Sequence, residues 1–168
     1  MKKYLVAALV GLTLIVAGCG NDSAGSDFDI KAYVAELSGS NIVESASISD
    51  KNLIVQDDGK EDTYDLPDDE FFVSIAPYLT YTHPCEIHSL TGCQGELVSE
   101  EMDVTITDED GEVYVDEALT TLENGFFDFW LPRDKNYTID ISFEGKSVSY
   151  EFSTFEGDPT CLTELPLT

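Results

Sequence analysis

Twelve consecutive residues, "THPCEIHSLTGC" at 82–93, hold two cysteines and both histidines of the chain. The next cysteine, Cys161, comes near the C-terminus in "STFEGDPTCLT". Thiolate and imidazole are metal ligands, and a thiolate is also a nucleophile. His83 and Cys85 are two apart, which puts both on one face of an extended segment. Cys85 and His88 are three apart and share a face where the chain turns helical after Pro84. Four chemistries compete for this set. A Cys85–Cys93 disulfide would staple the loop and leave the histidines incidental. Structural zinc would use the four donors of the run, yet zinc sites usually set two ligand pairs apart with a folded spacer. A redox thiol pair usually reads Cys-x-x-Cys beside a βαβ pattern, and covalent haem reads Cys-x-x-Cys-His; neither spacing is present. Copper is the fourth. Thiolates select Cu(I), imidazole accepts either copper state, and a thiol pair reduces Cu(II) by closing to a disulfide.

The start of the chain bears on how many thiols are free. Lys2 and Lys3 precede "YLVAALVGLTLIVAG", too short and too closely followed by small residues for a membrane span. Residues 1–18 read as an export signal, and "VAGC" at 16–19 as a lipobox that makes Cys19 the lipidated residue. Two or three acyl chains there would hold the protein to a membrane, where a single chain binds only marginally. Gly20 follows the cysteine, not Asp, so the inner-membrane retention signal of Gram-negative bacteria is absent. Residues 19–26, within "CGNDSAGSD" at 19–27, are small and polar, a flexible tether. The expected location is the cell envelope, on the outer face of the plasma membrane or in the periplasm. Exported proteins pair their cysteines. With Cys19 lipidated, Cys85, Cys93 and Cys161 remain, and an odd number leaves a thiol free or bound to something. The mature chain would also keep a single methionine, Met102, so its soft donors are cysteine sulfurs.

The chain carries a formal charge of −26 over 168 residues. Loss of Lys2 and Lys3 leaves 6 basic against 34 acidic residues, a net of −28. Such a field repels nucleic acid, keeps the protein soluble and favours cations. The apolar content of 42% is that of a globular protein, not of an acidic disordered tail. The acidic run "DEDGEVYVDE" at 108–117 lacks the ligand spacing of an EF-hand and reads as a hairpin turn.

Ile30, Tyr33, Val34 and Leu37 fall at i, i+3, i+4 and i+7, one amphipathic helix over 28–38. Beyond it the pattern is of strands. "SASIS", "NLIVQ" and "EFFVSIAPYLTYT" are β runs, the last one edged by Pro77, and Asp58-Gly59 marks a hairpin. Val104 and Ile106 alternate with polar residues, as do Tyr137, Ile139 and Ile141; Asp110-Gly111, Asn124-Gly125 and Glu144-Gly145 mark turns. Phe127, Phe129 and Leu131 share one face of a strand, and Phe126 and Trp130 the other. The expected fold is mainly β with a short N-terminal helix. A small α+β unit at 27–78 precedes a β-sandwich-like unit at 79–168 that carries the metal site. The 82–93 loop is expected to fold back on the C-terminal tail so that Cys161 meets Cys85 and Cys93, with Gly157 and Pro159 bending the tail.

"THPCEIHSLTGCQGEL" together with "STFEGDPTCLT" resembles the CueP family of bacterial envelope copper-binding proteins, from about Asp27 to Leu165. The resemblance implies export, copper tolerance and copper held by Cys85, Cys93 and Cys161, with His83 and His88 as auxiliary ligands. It also implies reduction of Cu(II), supply of copper to a copper–zinc superoxide dismutase or other acceptor, and a homodimer. The lipobox and the heavy acidity depart from the best-known members, which are free in the periplasm. The expected function is Cu(I) sequestration or carriage, as a binding protein rather than an enzyme. The alternatives are a lipid-anchored β-sandwich adhesion module with a Cys85–Cys93 disulfide, and a zinc-binding protein.

Overall fold

The computed structural model describes residues 28–168. The signal at 1–18, Cys19 and the tether at 19–26 lie outside the described residues. Helix α1 (Ile30–Leu37) forms on the amphipathic pattern and buries Val34 and Leu37. The Asp29 carboxylate caps it, accepting the backbone N–H groups of Lys31 and Ala32 at 3.1 Å each.

Strands follow in the order β1 (Ser45–Ile48), β2 (Asn52–Asp57), β3 (Lys60–Asp65), β4 (Glu70–Tyr78), β5 (His88–Ser89) and β6 (Glu101–Asp108). They continue with β7 (Val113–Thr120), β8 (Phe127–Pro132), β9 (Asn136–Phe143), β10 (Lys146–Ser153) and β11 (Cys161–Pro166). The protein is mainly β with one short N-terminal helix among the described residues. The strands form three sheets, ordered β3-β2-β1-β5, β11-β4-β8 and β10-β9-β6-β7. Asp58-Gly59 and Glu144-Gly145 have positive φ at both positions. That is the hairpin turn whose twist matches the strands it joins. The acidic run at 108–117 is likewise the β6–β7 hairpin. The Asp108 carboxylate accepts the N–H groups of Asp110 and Glu112 at 3.0 and 2.9 Å and pairs with Lys135 at 2.5 Å.

β4 explains how the layers stack. Its residues 71–77 are all buried, so neither face meets water. A strand covered on both faces reads as a continuous apolar run, not as an alternation. On one side Phe71, Val73 and Ile75 share a core with Val104 and Ile106 of β6 and with Ile139 and Ile141 of β9. On the other, Phe72 joins Val34 and Leu37 of α1 and Ile48, Leu53 and Val55 of β1 and β2. The β11-β4-β8 sheet is therefore a middle layer with a core on each side. Each fully buried Phe or Ile there contributes about 1.5–3 kcal/mol over its exposed state. β8 divides its side chains the same way, Phe127 and Leu131 to the first core and Trp130 to the second.

The order of this sheet links chain regions on both sides of residue 78. β4 pairs antiparallel with β8, with Phe72 opposite Trp130, and parallel with β11, with Cys161 opposite Ser74. β5 adds to the edge of the first sheet, with His88 opposite Ile48.

Candidate metal centre

Three separate pieces of chain bring the cysteines together. Cys161 opens β11 and is fixed against the central strand β4. Cys93 lies in the turn after β5, where its N–H donates to the Ser89 carbonyl at 3.0 Å. Cys85 lies in the irregular segment between β4 and β5. The three Sγ atoms all lie within 4.8 Å of one another, and all three cysteines are free thiols. The Cys85 and Cys93 sulfurs are 3.4 Å apart, a hydrogen-bond contact and not a disulfide. Cys161 and Cys93 are buried, packed with Ala76 and Phe126, while Cys85 is only half-buried. The cluster thus faces solvent through Cys85.

The histidines part company. His88 is fully buried, with its Nδ1 3.4 Å from the Cys161 sulfur. Its ring sits against Phe126, centroid to centroid 4.7 Å, and its Nε2 has no hydrogen-bond partner. His83 is exposed, and its Nε2 lies 3.0 Å from the Gln94 carbonyl oxygen. The converging donor set among the described residues is the three cysteines, with His88 beside it. The segment after Pro84 is not helical; His88 reaches the thiols because β5 pairs with β1.

The thiols do not titrate alike. A hydrogen bond from Cys161 lowers the Cys93 pKa to about 3 against the cost of burial, helped by His88 and by the Ser89 N–H 3.4 Å away. The Cys161 thiol is held well above the usual range by the hydrogen bond it donates to Cys93 and by its burial. Burial pushes Cys85 up to about 11. At neutral pH the coupled set holds one thiolate, centred on Cys93, solvated by two S–H donors. An incoming soft cation meets a ready anion, and it releases protons as the other sulfurs bind.

Several residues that hold this geometry escaped the sequence reading. Thr160 and Thr163 flank Cys161 and are buried. The Glu96 carboxylate accepts the N–H groups of Leu79 and Thr80 at 2.7 and 2.8 Å, and the Thr80 hydroxyl, so it ties down the start of the Cys85 segment. Gly95 and Gly125 touch backbone to backbone: a Cβ on Gly95 would stand 2.6 Å from the Gly125 oxygen. That contact sets Phe126 against the cysteines. The one available signal was composition, the "QGEL" after Cys93 and the threonines around Cys161.

A β scaffold that converges three thiols on one point could hold a soft metal ion, for which thiolates are the preferred ligands. The chain matches the family described as periplasmic copper-binding protein CueP over residues 35–166, and it belongs to that family. It is also similar to the solved structure described as "Crystal Structure of S.CueP", at 37% identity and a TM-score of 0.79. That match covers 85% of this chain and 91% of the other. No curated protein matches it.

Proposed function

We propose that this protein captures copper in the cell envelope as Cu(I), held by Cys85, Cys93 and Cys161, in copper tolerance. The observation that carries the reading is the convergence of three free sulfurs within 4.8 Å. Three thiolates suit a two- or three-coordinate soft ion, whereas structural zinc takes four ligands. Family membership supports copper as the cargo and the periplasm as the place. The lipobox at 16–19 supports anchoring through Cys19. No helix among the described residues is long and apolar enough to cross a membrane.

The test is a Cu(I) titration against a competing chelator for the wild type and for Cys85→Ser, Cys93→Ser and Cys161→Ser. Each substitution is expected to weaken binding, and unchanged affinity in all three overturns the reading. The mass of the mature protein reports the acylation of Cys19.

Reduction of Cu(II) is part of the same proposal. Cys85 and Cys93, as the close pair, would pass one electron to each of two Cu(II) ions and close to a disulfide, the Cys85 proton going to solvent. An external thiol must then reopen it. Without one, the protein reduces no more than two Cu(II) per chain; sustained turnover would refute this stoichiometry. Delivery to a copper–zinc superoxide dismutase or another acceptor, and a homodimer, complete the reading and rest on the resemblance. Sedimentation of the copper-loaded and metal-free protein tests the dimer.

A further inference from the structure

Cys85 belongs to a stretch that neither pairing nor burial holds in place. Residues 79–87 join no strand, and Tyr81, Thr82, His83, Pro84, Glu86 and Ile87 are exposed. Yet the Cys85 sulfur lies with the other two. Hydrogen bonds must supply the restraint, and those around Cys85 converge on β11.

The Thr163 hydroxyl donates to the His83 carbonyl at 2.8 Å, and the Thr163 carbonyl accepts the Thr82 hydroxyl at 2.7 Å. On the other side of Cys85, the Glu86 carbonyl accepts the N–H groups of Thr160 and Cys161 at 2.9 and 3.3 Å. The Thr160 hydroxyl accepts the His88 N–H at 3.0 Å and donates to Ile48 at 2.6 Å. The Thr160 carbonyl accepts the Ser74 N–H at 2.9 Å, which ties the whole set to β4. The two threonines are 1% and 3% exposed, so their ends of these bonds are shielded from water. The Cys85 segment is strapped to the Cys161 strand before and after the cysteine, at residues 82–83 and 86–88.

We infer that Thr160 and Thr163 are positioning residues that hold the Cys85 thiol at three-sulfur distance, and that the strap selects a three-coordinate soft ion over four-coordinate zinc. This rests on the copper reading above. The selectivity follows from what else the strap fixes. His83 has its carbonyl bonded to Thr163 and its Nε2 3.0 Å from the Gln94 carbonyl oxygen, and it is not in the three-sulfur set. His88 already lies 3.4 Å from the Cys161 sulfur but is buried, fixed in β5 and outside the three-sulfur set, so releasing residue 83 frees a second, movable imidazole to become the fourth ligand that zinc requires. Outer partners that orient ligands typically govern metal affinity by 10–100-fold.

The experiment uses the full chain with Thr163→Val, Thr163→Ser and Cys161→Ser, titrated separately with Cu(I) and Zn(II) against chelators. Thr163→Val is expected to weaken Cu(I) binding by about 10-fold or more while zinc binding holds or rises, so the ratio of the two falls. In metal-free Thr163→Val, Cys85 is expected to alkylate faster than in the wild type. Thr163→Ser keeps the hydroxyl and is expected to keep the wild-type ratio. An unchanged ratio in Thr163→Val, or equal losses in Thr163→Ser, overturns the inference. If Thr163→Val fails to fold, Thr82→Val removes the reciprocal bond from an exposed residue, and the same outcomes apply. Cys161→Ser separates the two failures. If it leaves Cu(I) affinity intact, the copper reading falls and takes the strap with it. If it abolishes binding while Thr163→Val keeps its ratio, the strap alone falls.

Discussion

The three sulfurs are expected to carry one negative charge at neutral pH, to keep it when the donor Cys161 is removed and to lose it when Cys93 is. Cys93 is lowered to about 3 from an ordinary 9.0, chiefly by the hydrogen bond from Cys161, and Cys85 is raised to about 11. In Cys161→Ala that donor is gone. A hydrogen bond to a charged acceptor contributes about 1.5–3 kcal/mol. At 1.36 kcal/mol per unit, the Cys93 step should rise by roughly 1–2 units. It stays below neutrality, because the Ser89 N–H and His88 still face the sulfur. Cys93→Ser behaves differently, since it removes the group that the other two solvate. Its first thiolate is then expected only on the alkaline side. The assay is the ultraviolet absorbance of the thiolate in metal-free protein, followed from acid to alkaline pH under strict reduction. The wild type should show one thiolate's worth of absorbance on a plateau across neutral pH. Two findings would refute the reasoning: no thiolate in the neutral wild type, or a neutral thiolate that persists in Cys93→Ser.

Three further substitutions test the frame of the site. Glu96 is set by burial, which raises its pKa, against donation from the Thr80 hydroxyl and the N–H groups of Thr80, Leu79 and Tyr81, which prevails and lowers it from 4.5 to about 2. A lowered carboxylate stabilises the fold above its unfolded pKa and loses that contribution as pH falls through the folded one. The stability gap between wild type and Glu96→Gln, read from urea midpoints, should therefore be full at pH 7 and close between about pH 4.5 and 2; a gap that stays constant refutes the assignment. Phe126→Ala removes a fully buried ring that packs on His88 and the cysteines. It should cost about 3–5 kcal/mol of unfolding free energy and speed alkylation of Cys161. Gly125→Ala forces a side chain into φ +80°, with its Cβ 2.9 Å from the Gly95 backbone. A loss of at least about 1–3 kcal/mol is expected in denaturant unfolding, and a neutral result would mean the two loops separate freely.

What the sequence revealed divides by the range of the interaction. The helix at 30–37, the Asp58-Gly59 hairpin and the alternation in β6 and β9 are local signals, and each stands in the fold. The meeting of Cys161 with Cys85 and Cys93 could be reasoned from thiol parity, because an exported chain seldom leaves an odd thiol idle. Long-range pairing was less legible. The continuous apolar run of β4 marks a strand buried on both faces. It does not say that the partners are β8 and β11, the second of them some 90 residues away in the chain. β5 has two residues, too few for any period, so the sequence left open whether the chain turns helical after Pro84, and His88 lies in a strand instead. Threonine is common in strands, and nothing in "DPTCLT" distinguishes hydroxyls that strap a loop from hydroxyls that face water.

The unequal mounting of the three sulfurs bears on how copper would enter and leave. Cys161 is fixed by β4, a strand with a core on each side, and it shifts only if the middle layer shifts. Cys93 is held by its turn and supplies the charge. Cys85 is only half-buried, keeps its proton at neutral pH and is held by hydrogen bonds and partial packing on the cluster of Ala76, Cys93, Phe126 and Cys161. In the proposed site, binding at Cys93 would therefore come before deprotonation of Cys85, and release would begin where the restraint is weakest and solvent is nearest. If copper is held as proposed, a ligand of an acceptor could replace Cys85 while Cys93 and Cys161 still hold the ion, so copper need never be free. The half-exposed third ligand suits a carrier better than a store, and the strap from β11 is what keeps that ligand close enough to complete the site.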